Sequence, residues 1–375
     1  MDLIELTQKL ISIPSFVDNK TDEKEIGSFI YNYLKEFTNL EVIKQEVENG
    51  RFNIIAKNNC PTKLLIACHM DTVEPKSELE YNPLEGKVKD NKLYGLGSCD
   101  MKGGIACILS AVKEIPTKGL ALLFYCDEEY DFKGMKKFLK EFLFSPELIL
   151  SPENTQLEIV NGCKGIIEIF FRIKGESGHP ARPEEGKNSI EGIINIINAV
   201  KKEVDKYQDP LLGKSLLNVG YISGGLMKCL NNQGNIVVGN RGNNIPDIAE
   251  ATLDIRTTDP KLNAETISEI IQKEIKRLKI EKIEIRSGFK PMYSPKENFK
   301  ELEQAIIKEN FYPNYGNIKK QAYFDGEMMA NKLSAPFACF GPIGGNAHGA
   351  EEWVDIKSLE KTRNVYKNLI QKFCI

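Results

Sequence analysis

Lys63-Leu64-Leu65-Ile66-Ala67-Cys68-His69-Met70-Asp71 decides the fold of this 375-residue chain. A nearly continuous apolar run of this length fits a strand buried on both faces, and such strands belong to parallel sheets covered by helices. The run ends on an imidazole and a carboxylate. Similar runs recur at Leu120-Ala121-Leu122-Leu123-Phe124-Tyr125, Leu148-Ile149-Leu150 and Phe337-Ala338-Cys339-Phe340. Between them, the stretches 105–112 and 135–142 read as helices. Leu3, Leu6, Leu10 and Ile11, then Ile26, Phe29, Ile30 and Leu34, mark two earlier amphipathic helices. This order predicts an α/β fold, a mostly parallel sheet with helices on both faces, in which ligands bind beyond the carboxyl ends of the strands.

The pattern changes after Gly165. Ile166 to Ile173 reads as a strand, followed by a helix with Ile190, Ile193, Ile194, Ile197 and Val200 on one face. Strands near 216–222 and 251–256, a helix bearing Ile267, Ile270, Ile271 and Ile275, and a strand near 282–286 complete the series. That β-α-β-β-α-β order is the split arrangement of ferredoxin-like folds. The expected organisation is a catalytic α/β domain of residues 1–165 plus 288–375, with an inserted α+β lid or dimerisation domain at 166–287.

Net charge is −3, with Lys and Glu interspersed, so no basic footprint for nucleic acid or an anionic membrane exists. No run approaches the roughly 20 apolar residues of a membrane span, and the start shows no basic region before an apolar stretch. A cytoplasmic protein with a small-molecule or short-peptide substrate is expected. Nine cysteines stand singly, which argues against a disulfide framework. Cys68 would point away from the face that His69 uses, and both it and Cys99 read as packing residues.

The candidate chemistry gathers at the ends of the apolar runs. His69 and His348 each close one, and Asp100, Glu128, Glu129 and Glu153 lie between them in sequence. Two imidazoles and several carboxylates suit a two-metal hydrolytic site. Asp71, two residues beyond His69, shares its side of an extended segment, where its carboxylate could accept the imidazole's other N–H. Alone it would be a turn aspartate. Gly95-Leu96-Gly97 begins like a dinucleotide fingerprint, but Asp100 stands where the third glycine should be, so a nicotinamide site is a poor reading. Asp100 could cap the following helix, or bring both its oxygens to two metals. Glu128 and Glu129 diverge in extended chain, so one could bind metal while the other faces a water; an acidic surface turn is the plain alternative. His179, in Gly178-His179-Pro180, reads on its own as a surface-loop histidine of the inserted domain. Arg256 and Asp254 share one face of a strand, as a surface ion pair would.

The whole constellation resembles the dinuclear zinc peptidase family that includes aminoacylase, acetylornithine deacetylase, succinyl-diaminopimelate desuccinylase and carboxypeptidase G. The resemblance rests on His69-Met70-Asp71-Thr72-Val73, on Tyr94-Gly95 through Asp100-Met101-Lys102-Gly103-Gly104, and on Asp127-Glu128-Glu129. It continues in Gly178-His179 with Pro183, Gly186 and Asn188, in Ile245-Pro246-Asp247, and in His348 with Glu352. It implies that Asp100 bridges two divalent metal ions, Zn foremost with Co or Mn as alternatives. His69 and Glu153 would complete one ion, Glu129 and His348 the other. It further implies Glu128 as general base, a cis peptide at Asp100-Met101, and a homodimer in which His179 reaches the reacting carbonyl of the partner subunit. Arg256 and Asn244 would hold the substrate carboxylate, and the backbone at Gly344 and Gly345 would lie close to the same substrate.

Two departures stand out. Glu153 lies in Ser-Pro-Glu-Asn-Thr where relatives carry Glu-Pro-Thr, and Asp325-Gly326-Glu327 places acid where desuccinylases carry Arg. The second argues against a succinylated diacid and for a basic or neutral group, unless Glu327 simply faces water. The resulting expectation is metal-dependent hydrolysis of an amide in N-acyl amino acids or short peptides bearing a free carboxylate. Carboxypeptidase G-like or dipeptidase activity is the alternative within the class, and a catalytically silent metal or amino-acid binder is the alternative outside it.

Overall fold

A computed structural model describes every residue except 77–81, 114, 143–144, 276 and 322. The chain divides into two compact units, the first of residues 1–162, 293–317 and 324–375, the second of 163–292 with 318–323.

In the first unit, the strands β1 (Glu41–Glu48), β2 (Arg51–Lys57), β3 (Leu64–His69), β4 (Leu120–Tyr125) and β5 (Leu148–Ser151) join Phe337–Cys339 in one sheet, ordered β1-β2-β4-β3-β5-(337–339). From β4 onward every pairing is parallel, while β1 and β2 form an antiparallel edge. Every residue of β3, β4 and β5 is buried, as the continuous apolar runs require. Alternate side chains of β3 face opposite ways: Leu64, Ile66 and Cys68 enter a core shared with the helices Leu3–Ser12, Gly103–Val112 and Ile356–Phe373. The helix Lys133–Glu141 packs against Gly326–Leu333 instead. Burial raises the Cys68 thiol far above its usual value, in keeping with an inert packing role.

The second unit is an antiparallel sheet of β6 (Gly165–Lys174), β7 (Leu216–Leu230), β8 (Ile236–Gly239), β9 (Ile248–Thr257) and β10 (Lys279–Phe289), ordered β8-β7-β9-β6-β10. The helices Ser189–Val204 and Ala264–Glu274 bury Ile193, Ile196, Val200, Ile267 and Ile271 against it. The β-α-β-β-α-β order is present, with two additions among the described residues, the first a short antiparallel ribbon of Gln208–Asp209 with Gly213–Lys214. In the second, β7 runs on to Leu230 and folds back as β8 through the polar turn Asn231-Asn232-Gln233-Gly234-Asn235. Apolar spacing does not reveal that extension, because its residues are largely exposed on both faces.

Among the described residues no helix is long and apolar enough to cross a membrane, and no disulfide forms.

Candidate metal centre

His69 is the last residue of β3, and Asp100 sits in the tight turn Ser98–Lys102 that leads into the helix Gly103–Val112. The Asp100–Met101 bond is cis. Glu153 follows β5 by two residues, Glu128 and Glu129 follow β4, and His348 follows the short strand Gly344–Gly345. His69, Glu128, Glu129 and Glu153 thus lie at or just beyond the carboxyl ends of the parallel strands, where such a sheet presents its ligand-binding edge, while Asp100 and His348 come from segments that follow strands of a small antiparallel sheet.

Their side chains converge. Asp100 Oδ1 lies 3.0 Å from His69 Nε2, and Asp100 Oδ2 lies 3.3 Å from His348 Nε2. Glu153 Oε1 is 3.5 Å from His69 Nε2, and Glu129 Oε2 is 3.1 Å from His348 Nε2. Donor atoms of His69, Asp100 and Glu129 all fall within 4.8 Å of one another. Two donors each ~2.1 Å from a tetrahedral ion stand about 3.4 Å apart, so these separations fit ligation of divalent ions. The donor set fits too: each oxygen of Asp100 faces a different imidazole, and each imidazole has a further carboxylate.

The electrostatics express the same crowding. Burial alone would lower His69, but Glu153, Asp100 and Asp71 overcome it and hold the imidazole well above its usual value. Hydrogen bonds to Asp100 and Glu129 push His348 up to about 10. Burial raises Glu128 strongly, reinforced by Asp325, Glu129 and Glu153 and opposed by His69. Glu153 is pushed up to about 8 by burial, with Asp100 and Asp325 adding and His69 opposing. Asp100 is lowered, since its contacts with His348 and His69 outweigh its burial. So many acids in one enclosed place call for compensating positive charge, which divalent cations supply.

Asp71 is arranged differently from the expectation. The main-chain oxygen of Asp71, at 3.1 Å, is nearer to His69 Nδ1 than its carboxylate, at 3.7 Å. The carboxylate's other oxygen accepts the Glu129 backbone N–H at 2.8 Å, so Asp71 ties the two ligand segments together. Gly344 and Gly345 pair with Val354 and Trp353 in a small antiparallel sheet. A Cβ on Gly344 would collide with Cys99, and one on Gly345 would press on the Trp353 ring, so packing already accounts for both glycines.

His179, Asn244 and Arg256 belong to the second unit. The exposed His179 accepts the Ala181 N–H on Nδ1 at 3.1 Å. Asn244 donates to Asn243 at 3.1 Å. The Arg256 guanidinium forms a two-pronged pair with Asp254, at 2.8 and 2.9 Å. Glu327 does not face water: it is buried, and the Asn331 side-chain amide donates to it. Asp325 is buried as well, accepts the Tyr125 hydroxyl at 2.9 Å, and has a second oxygen without a hydrogen-bond donor.

Two features had no role assigned from sequence. Glu352 receives three backbone N–H groups of the Asp100 turn. A buried cluster of Arg51, Glu23 and Asp127 underlies the Glu128-Glu129 segment. The only sequence signal for Glu352 was its spacing from His348, and Arg51 gave none, because its partners are 28 and 76 residues away.

Paired imidazoles and carboxylates at the carboxyl edge of a parallel sheet define a metal-dependent hydrolase. The chain belongs to peptidase family M20/M25/M40, whose profile matches residues 65–372. It is 29% identical to the acetylornithine deacetylase of Buchnera aphidicola subsp. Schizaphis graminum, over 99% of this chain and 98% of that protein. Among solved structures, a tripeptidase from Staphylococcus aureus superposes with a TM-score of 0.75 at 19% identity, covering 99% of this chain and 97% of that one. A dinuclear metal-binding peptidase from Bacillus subtilis superposes with a TM-score of 0.70 at 15% identity, covering 99% and 97%.

Proposed function

We propose that this chain is a dinuclear deacylase, cutting the amide of an N-acyl amino acid or short peptide next to a free carboxylate. The observation that carries the reading is Asp100, whose two oxygens each face a different imidazole. His69, Glu153 and Asp100 would hold one ion, and His348, Glu129 and Asp100 the other, with zinc the first choice and cobalt or manganese able to replace it. Two such ions would acidify a water and polarise the scissile carbonyl.

Glu128 is the general base. Its carboxylate takes the proton of the attacking water and later delivers it to the nitrogen of the departing amine. Asp71 keeps His69 and Glu129 in register. In the second unit, a cavity of about 640 Å³ lined by Asn188, Arg241 and Asn244 among others supports a role for Asn244 in holding the substrate carboxylate. Arg256 would share that task only by loosening its pair with Asp254, and the main chain at Gly344 and Gly345 would flank the bound substrate. Asp325 and Glu327 favour a substrate whose side chain is basic or neutral.

The working form is a homodimer, with His179 donated to the partner's site as a hydrogen-bond donor to the carbonyl oxygen. Support comes from β7: β8 pairs only with residues 226–230, so the outer edge of 216–224 has no strand beside it among the described residues. That stretch exposes Leu216, Val219, Tyr221 and Ile222. Cysteines without disulfides suit a cytoplasmic protein.

The test is a hydrolysis screen of acetylated, succinylated and formylated amino acids beside dipeptides, after chelation and after return of Zn, Co or Mn. Release of the free amino acid from acetylated substrates that chelation abolishes and metal restores is the expected result. Hydrolysis indifferent to chelation would overturn the reading; preference for dipeptides would move it to the carboxypeptidase branch.

A further inference from the structure

We propose that Arg51 is a positioning residue for the catalytic carboxylates. It anchors the turn that carries Glu128 and Glu129 and so fixes where both point; the inference rests on the roles assigned to them above.

Arg51 opens β2 and is almost wholly buried, as are Glu23 and Asp127. Its Nε and Nη2 reach the two oxygens of Glu23 at 2.7 and 2.6 Å, and Nη2 also reaches Asp127 Oδ1 at 2.7 Å. Nη1 adds a longer contact to the half-exposed Glu48, at 3.3 Å. Glu23 Oε1 in turn accepts the Asp127 backbone N–H at 3.0 Å. One guanidinium thus fixes Asp127 twice, directly through its side chain and through Glu23 at its main chain.

Asp127 passes that constraint to the turn. Its Oδ2 accepts the N–H groups of Asp131 and Lys133, both at 3.2 Å, and its main-chain oxygen accepts that of Phe132 at 2.6 Å. Its φ of 71° lies in the left-handed region, which aspartate tolerates better than most residues with a Cβ, and these hydrogen bonds hold it there. Glu128 and Glu129 follow at once, and the Glu129 N–H is fastened to Asp71 at 2.8 Å. The base and a metal ligand therefore sit between two fastenings, of which Arg51 supplies one.

Arg51 is also the charge that lets this arrangement exist. Without it, Glu23 and Asp127 would face each other as two buried carboxylates, and the turn would shift to part them. A displacement of about 1 Å at a reacting group can lower a rate by about 100-fold.

The test compares Arg51→Lys, Arg51→Gln and Glu23→Gln in the full chain. The readouts are Mn²⁺ affinity by calorimetric titration, kcat and KM on the best acetylated amino acid, and thermal unfolding. Loss of a group that orients metal ligands typically costs 10–100-fold in metal affinity or activity, and we expect about that for Arg51→Gln in both Mn²⁺ affinity and kcat, with KM within about twofold. Arg51→Lys keeps the charge but not the fork, and should recover part of the loss. If Arg51→Gln does not fold, Arg51→Lys and Glu23→Gln decide, each with a smaller fall of the same kind. Variants that melt earlier yet keep wild-type Mn²⁺ affinity and kcat would reduce Arg51 to a structural residue and overturn the proposal. Mn²⁺ affinity needs no substrate, so a wild-type protein that cleaves no amide would defeat the deacylase reading while leaving this one to be judged on its own.

Discussion

Glu352 holds the backbone of Asp100: its Oε1 accepts the Asp100 N–H at 2.9 Å. The same oxygen takes the Cys99 N–H at 2.8 Å, and Oε2 takes that of Gly97 at 2.7 Å. One buried carboxylate thereby gathers three donors from four consecutive residues and curls the turn so that Asp100 faces both imidazoles. Burial and the nearby Asp100 push Glu352 up to about 7, with those same N–H groups opposing.

Glu352→Gln keeps the shape and turns one acceptor into a donor aimed at other donors. Leaving buried N–H groups without acceptors costs about 1–3 kcal/mol, and we expect a stability loss of that size by urea titration. Because the turn positions Asp100, Mn²⁺ affinity should fall by about 10–100-fold. Wild-type affinity in a destabilised Gln variant would mean that the turn finds its shape without the carboxylate.

Glu128→Gln should separate base from ligand. The amide cannot take a proton from water, so kcat should drop by about 100- to 10,000-fold while the bound metal per chain is unchanged. Metal content by atomic absorption and turnover on one preparation provide the comparison. Equal loss of metal and activity would make Glu128 a ligand, and unchanged turnover would remove it from the chemistry.

His179 can be tested by mixing. His179→Ala and Glu128→Gln should each be inactive alone. If the imidazole serves the neighbouring subunit, a mixed dimer holds one site with both residues intact, so equal mixing with free exchange should restore about a quarter of wild-type activity. No recovery, in mixtures that sedimentation shows to be dimeric, would confine His179 to its own subunit.

The fold was legible wherever burial on both faces left a continuous apolar run: β3, β4 and β5 announce themselves, and His69, Glu128, Glu129 and Glu153 fall at their ends because a parallel sheet directs loops there. Contacts between distant charged residues were not legible, since nothing in the spacing of Glu23, Arg51 and Asp127 tells that one guanidinium joins them. The same limit applies to Glu327, whose charge left open whether it favours a basic or neutral substrate group or faces water; only the fold shows that the helix starting at Gly326 turns it inward. Asp71 lay between these cases: its side of the chain followed from alternation, but its partner, the Glu129 N–H, comes from another loop.

The Glu153 segment, where the sequence departs from its relatives, is shaped by two glycines. A Cβ on Gly104 would collide with the Pro152 carbonyl, and one on Gly341 with the carbonyls of both Pro152 and Glu153. The Gly341 N–H is itself taken by Thr155 Oγ1 at 2.9 Å, which keeps that strand end pressed on the loop. Gly341→Ala should therefore cost about 1–3 kcal/mol, as overpacking does in a close-packed interior. The displaced backbone should also carry the Glu153 carboxylate away from His69, now 3.5 Å off, and weaken one of two Mn²⁺ sites while sparing the other. Urea titration reads the stability and two-site calorimetry the metal sites: a less stable variant with two unaltered sites would remove Glu153 from the ligand set, whereas selective loss of one site would assign it to the ion beside His69.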